Sequence, residues 1–409
     1  MSSKADHSNQ QIVILLYCCS FFAGMGIEMP IVNFVGNFGI GDVFFIAALF
    51  FQIYAKKNIK MHWLSIVLFV FGCISLLSYA SSIFIDQLDI SSFGYVFRFF
   101  FYSLVVAMYI STTKTLDIFY NHLKYMVYGA FVFLLTSWFF FFIEGGTWYS
   151  GVPTLAFLVN VNANTQAFYY TLIIPIVVLL LFNGKINKII ALFLLFCFFL
   201  SGFLTLSKVG WGAIIVSLLF VYYSLFIYKK KITISLITMF FSILIVTYYD
   251  YIFDVINHRL TSSSGSTGDR IELILNGLSI WSHYPILGAG PRSFIYRISE
   301  YGSFPAIAHD AHHTWSNLLA EIGFIPVLLL AITYLVAFVV TVKVQKYNVQ
   351  VLLSYEQRKL IKYFFITMIV LLMMWSNFTG LIYSDKIPWI FLSLLFGNYS
   401  GLKKNIKKN

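Results

Sequence analysis

The residue types that do chemistry gather between Asp269 and Pro326. The chain reads Asp-Arg-Ile-Glu at 269–272, Pro-Ile-Leu-Gly-Ala-Gly at 285–290, His-Asp-Ala-His-His at 309–313 and Glu-Ile-Gly-Phe-Ile-Pro at 321–326. Four of the eight histidines lie in this stretch. Asp269 reads as a helix N-cap with Glu272 as its capping-box partner. Arg270 then stands at the positive end of a helix dipole, and its guanidinium is a bidentate seat for phosphate or diphosphate. The plainer reading is a surface arginine paired with Asp269 or Glu272. The cluster His309, Asp310, His312 and His313 admits three readings. These are a metal site, a general base that takes a proton from a hydroxyl, and a polar helix start with no catalytic role. On a helix beginning near Asp310, His313, Asn317 and Glu321 share one face. His312 then points roughly 100° away.

Charges inside apolar sequence form the second group. Arg98 lies within an apolar run, where a cation needs a partner or a wet cavity. Lys208, in Thr-Leu-Ser-Lys at 205–208, is placed either to meet an anionic headgroup or to snorkel to the interface. Arg292 and Arg297 follow the glycine turn and either extend a diphosphate seat or face water.

The elements that must hold these residues are apolar. Of the 409 residues, 60% are hydrophobic and only 11% charged. Soluble domains carry about 25% charged residues, so lipid is the expected solvent. Twelve apolar runs are expected to span it, at 12–29, 32–55, 62–83, 94–111, 124–143, 167–182, 189–206, 209–228, 232–249, 324–342, 363–383 and 387–400. Lipid leaves a backbone no partner but itself, so the spans must be helices. The start of the chain does not read as a cleaved signal peptide. Cys18, Cys19, Cys73 and Cys197 lie in or beside the runs and read as packing residues.

Of the 27 Lys and Arg residues, 20 occupy every second connector and both termini. The positive-inside rule then puts both termini in the cytoplasm. This clustering explains the net charge of +11 without nucleic acid. The expected fold class is an all-α polytopic membrane protein with about 12 transmembrane helices and cytoplasmic N- and C-termini. It forms a single integral membrane domain over 1–409, with one large external loop at 250–323 that carries short helices and the site. Within the loop, 261–268 reads as a mobile Ser/Thr/Gly linker. A helix follows to about His283, with Ile271, Ile274, Leu278 and Trp281 on its apolar face, and Pro285 stops it.

Taken together, the chain resembles the O-antigen ligase and polymerase superfamily of bacterial inner-membrane glycosyltransferases. Arg270, Trp281, Pro285 and Gly288-Ala289-Gly290 look like that family's Arg…Trp…Pro-x-x-Gly-x-Gly segment. Ala311-His312-His313-Thr314-Trp315…Glu321-Ile322-Gly323 looks like its Ala-His-Asn-Thr-Tyr…Glu-x-Gly segment, with His313 where asparagine is usual. Asn162-Ala163-Asn164-Thr165-Gln166-Ala167 is similar to an Asn-Pro-Asn-x-x-Ala motif without the proline. Thr205-Leu206-Ser207-Lys208 resembles Thr-x-Ser-Arg, with lysine for arginine. The likeness covers roughly 155–326.

The resemblance implies a glycan donor on undecaprenyl diphosphate at the periplasmic face and an acceptor that is either lipid A-core or another lipid-linked glycan. The activity would belong to surface polysaccharide and lipopolysaccharide biosynthesis. In that frame Arg270 and His312 are the catalytic residues, Arg270 for the diphosphate and His312 for the acceptor hydroxyl. Lys208, Asn164, Arg292, His313, Glu321 and Arg98 are substrate-binding candidates. The resemblance implies no metal and no cofactor. A twelve-span transporter or flippase of lipid-linked or anionic substrates is the competing reading, and it predicts broken helices paired between two halves.

Overall fold

The structure is a computed structural model. It describes residues 2–25, 30–32, 38–55, 59, 61–83, 90–144, 147–149, 152–154, 163–230, 264–301, 313–344, 354–378 and 386–406. The elements run α1 (Ser2–Gly24), β1 (Pro30–Val32), β2 (Phe38–Gly39), α2 (Ile40–Tyr54), α3 (Trp63–Ile83), α4 (Ile90–Thr112) and α5 (Leu116–Glu144). They continue with β3 (Thr147–Tyr149), β4 (Val152–Thr154), α6 (Ala163–Phe182), α7 (Lys188–Leu204), α8 (Lys208–Ile227) and α9 (Ser264–His283). The last are α10 (Phe294–Tyr301), α11 (Thr314–Ile322), α12 (Phe324–Val344), α13 (Tyr355–Phe378) and α14 (Lys386–Ile406). Two short antiparallel hairpins, β1–β2 and β3–β4, close the connectors before α2 and α6 and depart from an all-helical chain.

The run 232–249 lies outside the described residues, as do 26–29, 33–37 and 379–383; the described parts of the other runs lie mainly on helices, except that the run 32–55 begins in the β1–β2 hairpin and becomes helical only at Ile40. Among the described residues seven helices are long and apolar enough to cross a membrane: Trp63–Ser82, Ser92–Thr112, Leu116–Ile143, Asn164–Phe182, Lys208–Ile227, Phe324–Lys343 and Tyr355–Asn377. Shorter apolar helices are Asn9–Gly24, Ile40–Tyr54 and Lys188–Leu204.

Helix α6 is central, and residues 171–180 are all buried. It packs on α5, α7, α8 and α13. Pro175 sits inside it. Proline has no N–H to offer the carbonyl four residues back. The Ser217 hydroxyl of α8 supplies the missing donor, bonding the Thr171 carbonyl at 3.0 Å. A neighbouring helix thus satisfies the backbone group that proline leaves, as a lipid setting demands.

The two ends of the bundle differ. At one end Lys185, after α6, pairs with Asp117 at the start of α5 at 2.7 Å. At the same end Lys359, early in α13, lies 5.7 Å from the Tyr223 ring near the end of α8. At the opposite end the Trp138 indole of α5 donates to Ser201 near the end of α7 at 2.9 Å. There Trp375, late in α13, stacks on Phe168, early in α6. Among the described residues, the ends of α5–α8 and α13 therefore divide into a lysine-rich end and an end poor in lysine.

Three local expectations are corrected. Helix α9 begins at Ser264, not Asp269, so Asp269 lies in its second turn and does not cap it. A helix already held by packing extends into polar residues at a cost of only tenths of a kcal/mol each, more at glycine. The stretch 264–268 is accordingly helical, not a linker. The buried face of α9 is also different. Leu273, Asn276, Gly277 and Ile280 are buried, whereas Ile271 and Leu278 are exposed. A Cβ at Gly277 would lie 3.0 Å from Ser316 Cβ, so the small-residue face is where α9 meets α11. Helices near lipid approach through small residues and leave large apolar ones outward. Finally, α11 begins at Thr314 and not near Asp310.

Candidate functional site at the lysine-poor end

Helix α11 organises the site. His313 is its N-cap, with extended backbone (φ −144°, ψ 108°). Its Nδ1 accepts the Ser316 N–H at 3.2 Å. It is therefore outside the helix, and the expected helical alignment with Asn317 and Glu321 does not hold. An acceptor at the δ position is also what an asparagine provides at an N-cap. The Asn377 side chain at the end of α13 hydrogen-bonds the imidazole. The Asn377 amide also donates to the Met373 carbonyl at 2.7 Å. With Nδ1 accepting, the ring proton sits on Nε2. Burial lowers the His313 pKa below its usual value, and the Asn377 bond opposes this in part.

The sign of the pH effect follows. A folded state that disfavours the imidazolium loses stability as pH falls below the unfolded pKa of about 6.5. Thermal unfolding of wild type and His313→Asn across pH 5–8 isolates this term. Wild type is expected to lose stability relative to His313→Asn as the pH falls below about 6.5. At pH 8 His313→Asn is expected to match wild type, while His313→Ala loses about 1 kcal/mol with its cap. Equal pH slopes would contradict the assignment.

At the same end, Asn164 at the start of α6 meets the Thr-Leu-Ser-Lys turn. Ser207 donates to Asn164 Oδ1 at 2.6 Å and accepts the Gly210 N–H at 3.0 Å as N-cap of α8. A Cβ at Gly210 would lie 2.4 Å from Ala167 Cβ, so α6 and α8 touch one turn in from these residues. Lys208 is the first residue of α8 and is exposed. The helix-start electrostatics that the sequence suggested for Arg270 belong to Lys208, whose ammonium adds to a dipole end and its amides. Helix α13 ties this corner to α11. Trp375 stacks on Phe168, Met374 lies against Gly212, and Asn377 reaches His313.

The other end of α11 is a backbone clasp. Ala289 N–H bonds the Ala320 carbonyl at 2.7 Å, Gly290 N–H the Glu321 carbonyl at 3.0 Å, and Phe324 N–H the Pro285 carbonyl at 3.2 Å. The Trp281 indole also donates to the Pro285 carbonyl, at 3.0 Å. The Gly-Ala-Gly and Glu-Ile-Gly motifs are two halves of one clasp. Ser78 at the end of α3 donates to the same Glu321 carbonyl at 2.9 Å. Glu321 is buried here, eight residues from His313 and about 12 Å along the helix.

Arg292 leaves the clasp with a left-handed backbone (φ 59°). Its guanidinium carbon lies 5.1 Å from the centre of the Tyr95 ring, and that of Arg98 lies 5.0 Å from the same ring. Arg98 is in the second turn of its candidate span, near this end of the bundle and not at its middle. Arg297 does not face water. It is buried, pairs with Glu300 at 2.6 Å and lies over Tyr284.

Arg270 is in the second turn of α9. His309, Asp310 and His312 lie outside the described residues. The structure thus groups Asn164, Lys208 and His313 at one end of α11, and Arg98, Arg292 and Glu321 at the other. Sequence reasoning missed Tyr95, Ser207 and Asn377. The first stands three residues before Arg98, one helical turn away, and the second lies within a motif already noted. Asn377 is a polar residue late in an apolar run with no nearby signal.

A family model described as O-antigen ligase matches residues 191–332, from α7 into α12. The match includes Lys208, Arg270, Arg292, His312, His313 and Glu321, and bears out the resemblance to the O-antigen ligase and polymerase superfamily. Over this segment the chain is similar to O-antigen ligases, and among the described residues it has seven helices long and apolar enough to cross a membrane. No curated protein matches the chain.

Proposed function

We propose that the protein transfers a glycan from undecaprenyl diphosphate to an acceptor sugar hydroxyl at the periplasmic face of a bacterial inner membrane. The observation that carries this reading is convergence. Asn164, Ser207–Lys208, Gly288–Gly290 and His313–Gly323 are separated in sequence yet meet at the lysine-poor end of the bundle. By the positive-inside rule that end faces away from the cytoplasm. Twelve spans, cytoplasmic termini and an external loop at 250–323 belong to the same reading.

In the reaction the acceptor oxygen forms a bond to the anomeric carbon as the bond from that carbon to the diphosphate oxygen breaks. The hydroxyl proton passes to His312, and the electron pair leaves with the diphosphate. Arg270 and Lys208 hold the diphosphate and stabilise its growing charge. Lysine does so as a point charge, without arginine's fork. His313, whose Nδ1 caps α11 and whose imidazole is hydrogen-bonded by Asn377, fixes the start of α11 and leaves the base role to His312. Asn164 fixes the turn that presents Lys208. Arg292 and Arg98 add positive charge, and Glu321 anchors the clasp.

The transporter reading needs broken helices lining a polar path. The proline in α6 is instead packed and satisfied by Ser217. Reconstitution with a defined undecaprenyl-diphosphate glycan and two acceptors, lipid A-core and a second lipid-linked repeat, tests the function. Product on lipid A-core defines a ligase, and a lengthened lipid-linked glycan defines a polymerase. Movement of the donor across the bilayer with no new glycosidic bond would overturn the reading.

A further inference from the structure

We propose that Tyr301, with His283, Tyr284 and Glu300 around it, forms a subsite for a neutral saccharide where the end of α9 meets the end of α10. Neither helix is among the seven candidate spans. They share a small core of their own, in which Leu273 and Ile280 of α9 meet Phe294 and Ile298 of α10. Tyr284 and Tyr301 pack against this core and stay half-buried.

Tyr301 is the hub of the cluster. The His283 ring centre lies 4.6 Å from its own, and the Tyr284 ring meets it edge-on at 5.6 Å. The Ser279 hydroxyl donates to the Tyr301 carbonyl at 2.6 Å and so holds the end of α10 against α9. The Tyr284 hydroxyl donates to the Tyr301 hydroxyl at 3.0 Å. That bond uses the Tyr284 hydrogen. Among the described residues the Tyr301 hydrogen has no acceptor, so this hydroxyl is a donor for a ligand.

Acceptors stand beside it. His283 is exposed, and its Nδ1 faces the Ser279 carbonyl at 2.9 Å and therefore carries a proton. In the uncharged ring Nε2 is then an acceptor. Glu300 precedes Tyr301, and its side chain is 48% exposed. Arg297 binds one of its oxygens at 2.6 Å, and the other oxygen is a second acceptor. The Glu300 charge is felt at Tyr284, which places the carboxylate near the tyrosine pair.

A hydroxyl donor, two acceptors and half-exposed rings suit a polyhydroxylated ring. Each sugar hydroxyl both donates and accepts, and the C–H face of the ring rests on aromatic surface. Other ligand classes fit less well. The Arg297–Glu300 pair is charge-balanced and gives a phosphate no net attraction. Among the described residues no three His, Cys, Asp or Glu side chains gather for a metal ion. That the occupant is part of the transferred glycan rests on the proposed function. Saccharide binding itself does not.

The test uses the full chain in lipid nanodiscs free of sugar-based detergent. It reads saturation transfer by NMR to the methyl glycosides of glucose, galactose and N-acetylglucosamine. Wild type is expected to bind at least one of them. Tyr301→Phe removes the hydroxyl and His283→Phe the acceptor nitrogen, while both keep an aromatic ring. Each is expected to weaken binding about threefold to tenfold. Tyr296→Ala, which removes an exposed ring elsewhere on α10, should leave binding unchanged. Inorganic phosphate should not compete. In glycan transfer, Tyr301→Phe is expected to raise KM for the donor or the acceptor with kcat little changed, and the substrate affected identifies the occupant. No binding of any of the three glycosides, wild-type affinity in both Tyr301→Phe and His283→Phe, or displacement by phosphate would overturn the proposal. Absence of transfer with glycoside binding still sensitive to Tyr301 would overturn the proposed function alone.

Discussion

Gly288→Ala is expected to destabilise the protein by about 4 kcal/mol and to remove it from the folded membrane fraction. Gly288 has φ 71°, and a Cβ there would lie 2.3 Å from both the Glu321 carbonyl carbon and the Ile322 nitrogen. Those atoms are backbone and cannot swing aside. Relief requires the turn to lift from α11, which breaks the Ala289–Ala320 and Gly290–Glu321 bonds together. Gly323 presents the same problem from the other side, with φ 86° and the Ile286 carbonyl oxygen 2.0 Å from its would-be Cβ. Gly323→Ala should be as harmful, and the double variant little worse than either, since both open one clasp. Thermal unfolding in detergent measures this. A Gly288→Ala protein with wild-type Tm would mean that the clasp is not as described.

The second large effect is expected at Asp42. Lys386 Nζ lies 2.8 Å from Asp42 Oδ1, with the side chains only 13% and 8% exposed. The other carboxylate oxygen accepts the Gly39 N–H at 2.8 Å. Asp42 opens α2 and Lys386 opens α14, so the pair fastens the first helical hairpin to the last helix. Removing one partner strands a buried charge. Asp42→Ala should therefore cost roughly 3–5 kcal/mol. Removing both with apolar residues of similar size, Asp42→Leu with Lys386→Met, should restore most of that. The comparison of single and double variants by thermal unfolding checks it. A double variant as unstable as the sum of both singles would refute the pairing.

Much of the helical framework was legible in the sequence, because lipid removes every alternative to the helix for an apolar run. Local polar starts were less legible. Ser264–Gly268 has linker composition yet is helical, since packing farther along α9 outweighs its weak propensity. The face of α9 was misread for a related reason. Apolar periodicity at Ile271 and Leu278 marks the core in water, but beside lipid the packed face belongs to Asn276 and Gly277. Motif order was legible and motif contact was not. Nothing local says that Ser207 bonds Asn164, or that the glycines after Pro285 exist to touch the backbone of Glu321. The role of His313 became intelligible only once its Nδ1 was seen to cap α11.

The most direct measurement of the central claim is the initial rate of glycan transfer in lipid nanodiscs from a defined undecaprenyl-diphosphate donor. Wild type, Arg270→Ala, His312→Ala and His313→Asn are compared at equal folded protein. The predicted result is a loss of about 10²–10⁴-fold for Arg270→Ala and His312→Ala, with His313→Asn near wild type. Full activity in Arg270→Ala or in His312→Ala would contradict the account.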